Sequence, residues 1–206
     1  GVEPHPDGLL VAQAGGWSLT DWDGKEHPRQ DLLGSRLLAL AMHPSGTLWA
    51  CAKSGNGCLI GELSAEGELR HGWSLPEPVS AFRWDAKGKA VYALAPEAGD
   101  ILLMQPGSSS VRRLASLPRG GGSLGGLALD GEGGVWTTQL DGWSLARFDA
   151  EGNLDQMIGL PVPSPTDLCF GGEDGTLLFI TSARHALQLE TLASAPNSGC
   201  LMQMQT

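Results

Sequence analysis

The chain has 206 residues, of which 41% are apolar and 17% charged, a balance that allows a sizeable buried core and excludes a disordered chain. Thirteen basic against twenty-three acidic side chains leave a net charge of −10, which repels phosphate backbones and anionic membrane surfaces. Arg112-Arg113 is only a pair and no window of about 18 apolar residues occurs, so neither nucleic acid nor a membrane is expected as a partner.

Gly1-Val2-Glu3-Pro4-His5 is neither a signal peptide nor an initiator methionine, so a trimmed, processed or incomplete N-terminus is expected. From there a turn signal returns five times, each time just ahead of an apolar strand. Its glycines are Gly8, Gly46, Gly88, Gly133 and Gly175, at intervals of 38, 42, 45 and 42 residues. That period is the length of a four-stranded propeller blade of about 40–45 residues. The predicted fold is therefore all-β, a β-propeller of ~42-residue blades with about five blades present, in a single domain over 1–206. Opening strands are expected at 38–42, 79–84, 126–129 and 167–170. The first copy lacks a leading strand on this reading, and 199–204 reads as a closing strand. No 3.6-residue apolar period persists, so no helix is expected. Sheet edges left open would invite a second copy or a complementing chain, giving a homo-oligomer.

Trp49 and Trp136 fall three residues after their turn glycines, with Tyr92 and Phe179 in similar places, and are expected to pack between neighbouring blades. Trp17, Trp73 and Trp143 fall in loops or outer strands. Cys51 and Cys58 flank a Gly55-Asn56-Gly57 turn and could face each other on a hairpin. With no zinc-like spacing, all four cysteines, Cys169 and Cys200 included, are expected as small buried hydrophobes in a reducing, cytoplasmic compartment. His5 and His43 sit in matching His-Pro turns. His185 has no nucleophile spaced to partner it, and 120–126 lacks the lysine of a phosphate loop.

Several stretches then resemble one family. Leu127-Ala128-Leu129-Asp130-Gly131-Glu132-Gly133-Gly134-Val135-Trp136, Ala146-Arg147-Phe148-Asp149, Cys169-Phe170-Gly171-Gly172 and Phe179-Ile180-Thr181-Ser182-Ala183-Arg184 are similar to the C-terminal half of the SMP-30/gluconolactonase/LRE (regucalcin-like) family. The resemblance implies a six-bladed propeller, here N-terminally short, and hydrolysis of sugar lactones with one divalent cation, calcium or zinc. It implies a glutamate ligand that would lie ahead of Gly1. The family's asparagine falls on Ser80 and its aspartate, which is ligand and general base, on Gly125. A substrate-holding arginine is kept as Arg36, while the Asn and Asp that follow it in the family are Leu38 and Ala39.

A hard dication needs several oxygen ligands, commonly carboxylates, to offset its dehydration. Ser80 offers one neutral oxygen; Gly125 and Ala39 offer no side-chain donor. Asp130 lies five residues along from Gly125, roughly 16 Å at ~3.3 Å per residue, too far to substitute. The residues therefore predict no metal and no catalytic group at the family positions, with Arg36 and Ser80 left as contacts for a small polyhydroxyl or lactone ligand. Three functions stay open: a diverged ligand-binding or scaffold propeller, a lactone hydrolase whose site a missing segment or partner chain completes, and an oligomeric interaction module.

Overall fold

A computed structural model describes residues 2–13, 15–118, 120–185 and 187–206. Five sheets follow one another along the chain, each a meander in which consecutive strands are hydrogen-bonded. The first holds β1 (Val2–His5), β2 (Gly8–Gln13), β3 (Gly16–Asp21) and β4 (Gln30–Asp31), and the second β5 (Leu37–Met42), β6 (Leu48–Ser54), β7 (Gly57–Leu63) and β8 (Leu69–Leu75). The third holds β9 (Ala81–Trp84), β10 (Val91–Ala95), β11 (Asp100–Met104) and β12 (Val111–Ser116). The fourth holds β13 (Ser123–Leu129), β14 (Val135–Leu140), β15 (Ser144–Phe148) and β16 (Leu154–Gly159). The fifth has three strands, β17 (Pro165–Gly171), β18 (Leu177–Ser182) and β19 (Met202–Gln205), with a short helix α1 (Leu189–Ser194) before the last.

The glycine repeat marks the hairpin that opens each sheet. Gly46, Gly88, Gly133 and Gly175 all have φ between +65° and +89°, a conformation that side chains disfavour, and this is why glycine returns there. Two expectations need correction. The first sheet does have a leading strand: β1 pairs with β2 from Val2↔Val11 to His5↔Gly8. Its apolar signal is broken by Glu3, which is buried and ion-paired to Arg83. A helix also exists, but α1 has six residues and none is buried, so it leaves no apolar period to read.

The residues group into two compact units, Gly1–Ala95 with Leu102–Arg112, and Pro96–Ile101 with Arg113–Thr206. In the first unit Trp49, Trp73 and Trp84 form the centre of a core drawn from the second and third sheets. Trp84 stands edge-on to Trp49 with centroids 4.8 Å apart, and His43 meets Trp84 at 4.5 Å. In the second unit Trp136 of β14 meets Phe170 of β17 edge-on at 6.0 Å. The tryptophans after the turn glycines thus join neighbouring sheets. Trp73 lies on the outer strand β8 and Trp143 in a loop, while Trp17 is buried on β3.

Cys51 and Cys58 are buried free thiols on one face of the β6–β7 hairpin. The neighbouring Cys58 sulfur, together with burial, raises the Cys51 pKa and keeps that thiol protonated. Cys169 and Cys200 form no disulfide and are exposed, against expectation. Cys169 takes the outward position next to buried Leu168 on β17, and Cys200 lies in the loop ahead of β19.

Candidate functional site

The expected site residues fall at the leading ends of the first strands of three sheets. In the first unit, Arg36 immediately precedes β5 and Ser80 immediately precedes β9, and these two strands pack side by side. Both residues are exposed. The Arg36 carbonyl accepts the Lys53 N–H at 2.8 Å, and the Ser80 N–H donates to the Leu94 carbonyl at 3.0 Å. Their main chains are pinned while their side chains face outward. Leu38 is the extra residue of a bulge between Leu37↔Ala52 and Ala39↔Cys51. Ala39 is buried in the core.

The same irregularity recurs in the second unit. On β13 the register shifts between Leu124↔Gln139 and Leu127↔Thr137, so Gly125 and Gly126 together oppose Thr138. On β17 it shifts between Pro165↔Ser182 and Asp167↔Thr181, making Thr166 the extra residue. A bulge bends its strand and re-aims a side chain, and such devices are common beside active sites. Here three strands carry one at corresponding places.

The Gly125 position is filled from below. Thr138 is buried, and its Oγ1 accepts the Gly126 N–H at 2.7 Å. A β-carbon added at Gly125 would lie 2.3 Å from that oxygen and 3.1 Å from the Thr166 carbonyl oxygen. An aspartate could not be seated there without displacing a hydroxyl already committed to the backbone. Among the described residues, no three His, Cys, Asp or Glu side chains converge as a metal site. The donors at these positions do not fit the dication that the resemblance implies.

A carboxylate does stand nearby, on the first strand of the next sheet. Asp167 is exposed at the start of β17, and its Oδ1 accepts the Leu168 N–H at 2.9 Å. A β-carbon on Gly126 would meet that Oδ1 at 2.4 Å, so the carboxylate lies directly against the glycine backbone. Two hydroxyls accompany it: the half-buried Thr166 Oγ1 and the exposed Thr181 Oγ1 are 2.8 Å apart. Asp167 is legible in the sequence only as part of a strand, because its closeness to Gly126 depends on two sheets meeting.

Asp130, excluded on distance, has a different task. In the turn after β13 it accepts Trp136 Nε1 at 2.9 Å, Arg147 Nε at 2.8 Å and the Gly134 N–H at 2.7 Å. Burial alone would raise its pKa, but the bonds from Trp136 and Arg147 outweigh that and hold it below the usual carboxylate value. Arg147 also reaches Glu132 at 2.9 Å and Asp155 at 2.5 Å, tying β15 to a turn and to the edge strand. His185 is exposed in the loop after β18.

The fold places the chain among β-propellers. It aligns with the calcium-binding protein regucalcin from Agrobacterium tumefaciens at a TM-score of 0.79 and 22% identity, covering 98% of this chain and 74% of that one. A gluconolactonase from Xanthomonas campestris aligns at a TM-score of 0.73 and 19% identity, over 96% of this chain and 68% of that one. The family profile for the SMP-30/Gluconolactonase/LRE-like region matches residues 81–184, and the chain belongs to that family. In sequence it is 41% identical over 98 residues to 6-deoxy-6-sulfogluconolactonase of Pseudomonas putida, covering 47% of this chain and 33% of that protein. It is 33% identical over 109 residues to regucalcin of Danio rerio, covering 52% of this chain and 37% of that protein. The matched segments thus span about a third of each relative's own length.

Proposed function

We propose that the chain acts as a sugar-lactone hydrolase of the gluconolactonase kind, taking a small polyhydroxyl lactone at the leading ends of the first strands. The observation that carries this reading is the family match over 81–184, which includes the bulged segment of β13 and the start of β17. The 41%-identical relative carries a lactonase name, and a gluconolactonase shares the fold. Within the second unit the Thr166–Thr181 hydroxyl pair, and within the first the exposed Ser80 and Arg36 side chains, each suit a ligand rich in hydroxyl groups.

The test is direct: initial rates of glucono-δ-lactone opening with purified protein, corrected for spontaneous hydrolysis, in chelator and with added Ca²⁺ or Zn²⁺. Turnover above background in either condition supports the reading, and none in both overturns it. Arg36→Ala is expected to raise KM about tenfold with kcat little changed, the mark of a lost ground-state contact. An unchanged KM removes Arg36 from the site.

One observation favours the binding-propeller alternative, the seating of Thr138 where the family's aspartate would stand. On that reading the chain would hold a polyhydroxyl ligand without opening it, and saturable lactone binding with no turnover would distinguish it. The names of the relatives lend it no support.

A further inference from the structure

We infer that Asp167 is the proton acceptor for lactone opening in this chain. The inference rests on the lactone-hydrolase reading above. Three features carry it.

The first is placement. Gly125 and Gly126 leave the leading end of β13 without side chains, and the Asp167 carboxylate lies against Gly126 from β17. Any side chain at 126 would collide with it, so the glycine and the aspartate make one arrangement. The second is availability. Asp167 is exposed, and among the described residues its carboxylate takes only the Leu168 N–H, with no cation in an ion pair. A carboxylate committed to structure looks different: Asp130 is held by an indole, a guanidinium and a backbone amide. The third is company. The bulge at Thr166 sets Asp167 opposite Thr181, beside the Thr166–Thr181 hydroxyl pair, which can receive the hydroxyls of a sugar lactone.

The step balances without a metal or any co-reactant besides water. The carboxylate takes a proton from a water molecule as its oxygen bonds to the lactone carbonyl carbon. The tetrahedral adduct then collapses, the bond from that carbon to the ring oxygen breaks, and the protonated Asp167 returns its proton to the departing alkoxide. The product is the open hydroxy acid.

The experiment compares wild type, Asp167→Asn and Glu173→Gln in chelator, with glucono-δ-lactone as substrate and a pH–rate profile for each. Glu173 is an exposed turn residue outside the cluster and serves as the control. General base catalysis is typically worth 10²–10⁴ in rate, so Asp167→Asn is expected to lose about 100-fold or more in kcat. It should lose with it the acid limb of the profile, while KM and the melting temperature stay near wild type. Turnover by Asp167→Asn equal to wild type overturns the inference and leaves the hydrolase reading standing. So does wild-type turnover that vanishes in chelator and returns with Ca²⁺ or Zn²⁺. If wild type opens no lactone in either condition, the hydrolase reading fails and the inference fails with it.

Discussion

Gly125 is the position on which the resemblance places an aspartate, and its surroundings are already occupied. The strand bulges here, and the buried Thr138 hydroxyl lies under the bulge and accepts the Gly126 N–H. Restoring the family's residue should therefore fail. Gly125→Asp forces its β-carbon against Thr138 Oγ1, and such overpacking costs about 1–3 kcal/mol. Urea denaturation should show that loss, and calorimetry should show no gain in Ca²⁺ or Zn²⁺ binding. A variant as stable as wild type that binds one equivalent of metal would show that the seat is still open. That Ala39, Ser80 and Gly125 bring no carboxylate was legible from residue identity alone. The occupant of the space was not, since Thr138 reaches Gly126 only once the bulge has formed.

At the scale of the strand and sheet, the fourth sheet shows how a blade is closed at its outer end. Asp130 in the first hairpin, Arg147 on β15 and Asp155 on β16 form a chain of charge-assisted bonds across the sheet. Both members of the central pair are largely buried, at 14% and 12% side-chain exposure, so removing one strands the other. Arg147→Ala is expected to cost about 2–3 kcal/mol, the range for hydrogen bonds to charged groups, measured by chemical denaturation. The pH dependence follows from the depressed Asp130 carboxyl. A group whose folded pKa lies below its unfolded value of about 4 stabilises fully above that value, and loses its contribution as pH falls through the folded pKa. The stability gap between wild type and Asp130→Asn should thus be constant from pH 8 to pH 5 and close below pH 4. A gap that does not change with pH would show that the charge contributes nothing. Four of the five hairpins were legible because a positive φ demands glycine at a fixed place in each, at Gly46, Gly88, Gly133 and Gly175. The leading strand β1 was obscured by a buried, ion-paired Glu3, and α1 by having no buried face.

Over the whole chain, composition and period sufficed for the architecture, because a glycine-punctuated repeat of about 42 residues with aromatic strand positions has few ways to bury its apolar faces. The family was legible from the stretches at 127–136 and 169–184, which fall within or at the limit of the matched region. Of the candidate site, the positions of Arg36, Ser80 and Gly125 at the starts of strands were legible in the sequence, and the neighbourhood of Asp167 was not. Asp167 and the Thr166–Thr181 pair come together through two bulged strands, and no linear spacing announces that. With a net charge of −10 the chain as a whole attracts cations, yet a diffuse field differs from a coordination site, which needs converging oxygens. Edge pairing with another copy is a further proposal for the intact protein, and sedimentation as a monomer at micromolar concentration would remove it.

The most direct test of the account is calorimetric titration of the chelator-stripped protein with Ca²⁺, Zn²⁺ and Mn²⁺, followed by metal analysis after dialysis. The account predicts no stoichiometric uptake of any of the three. One equivalent held through dialysis would contradict it.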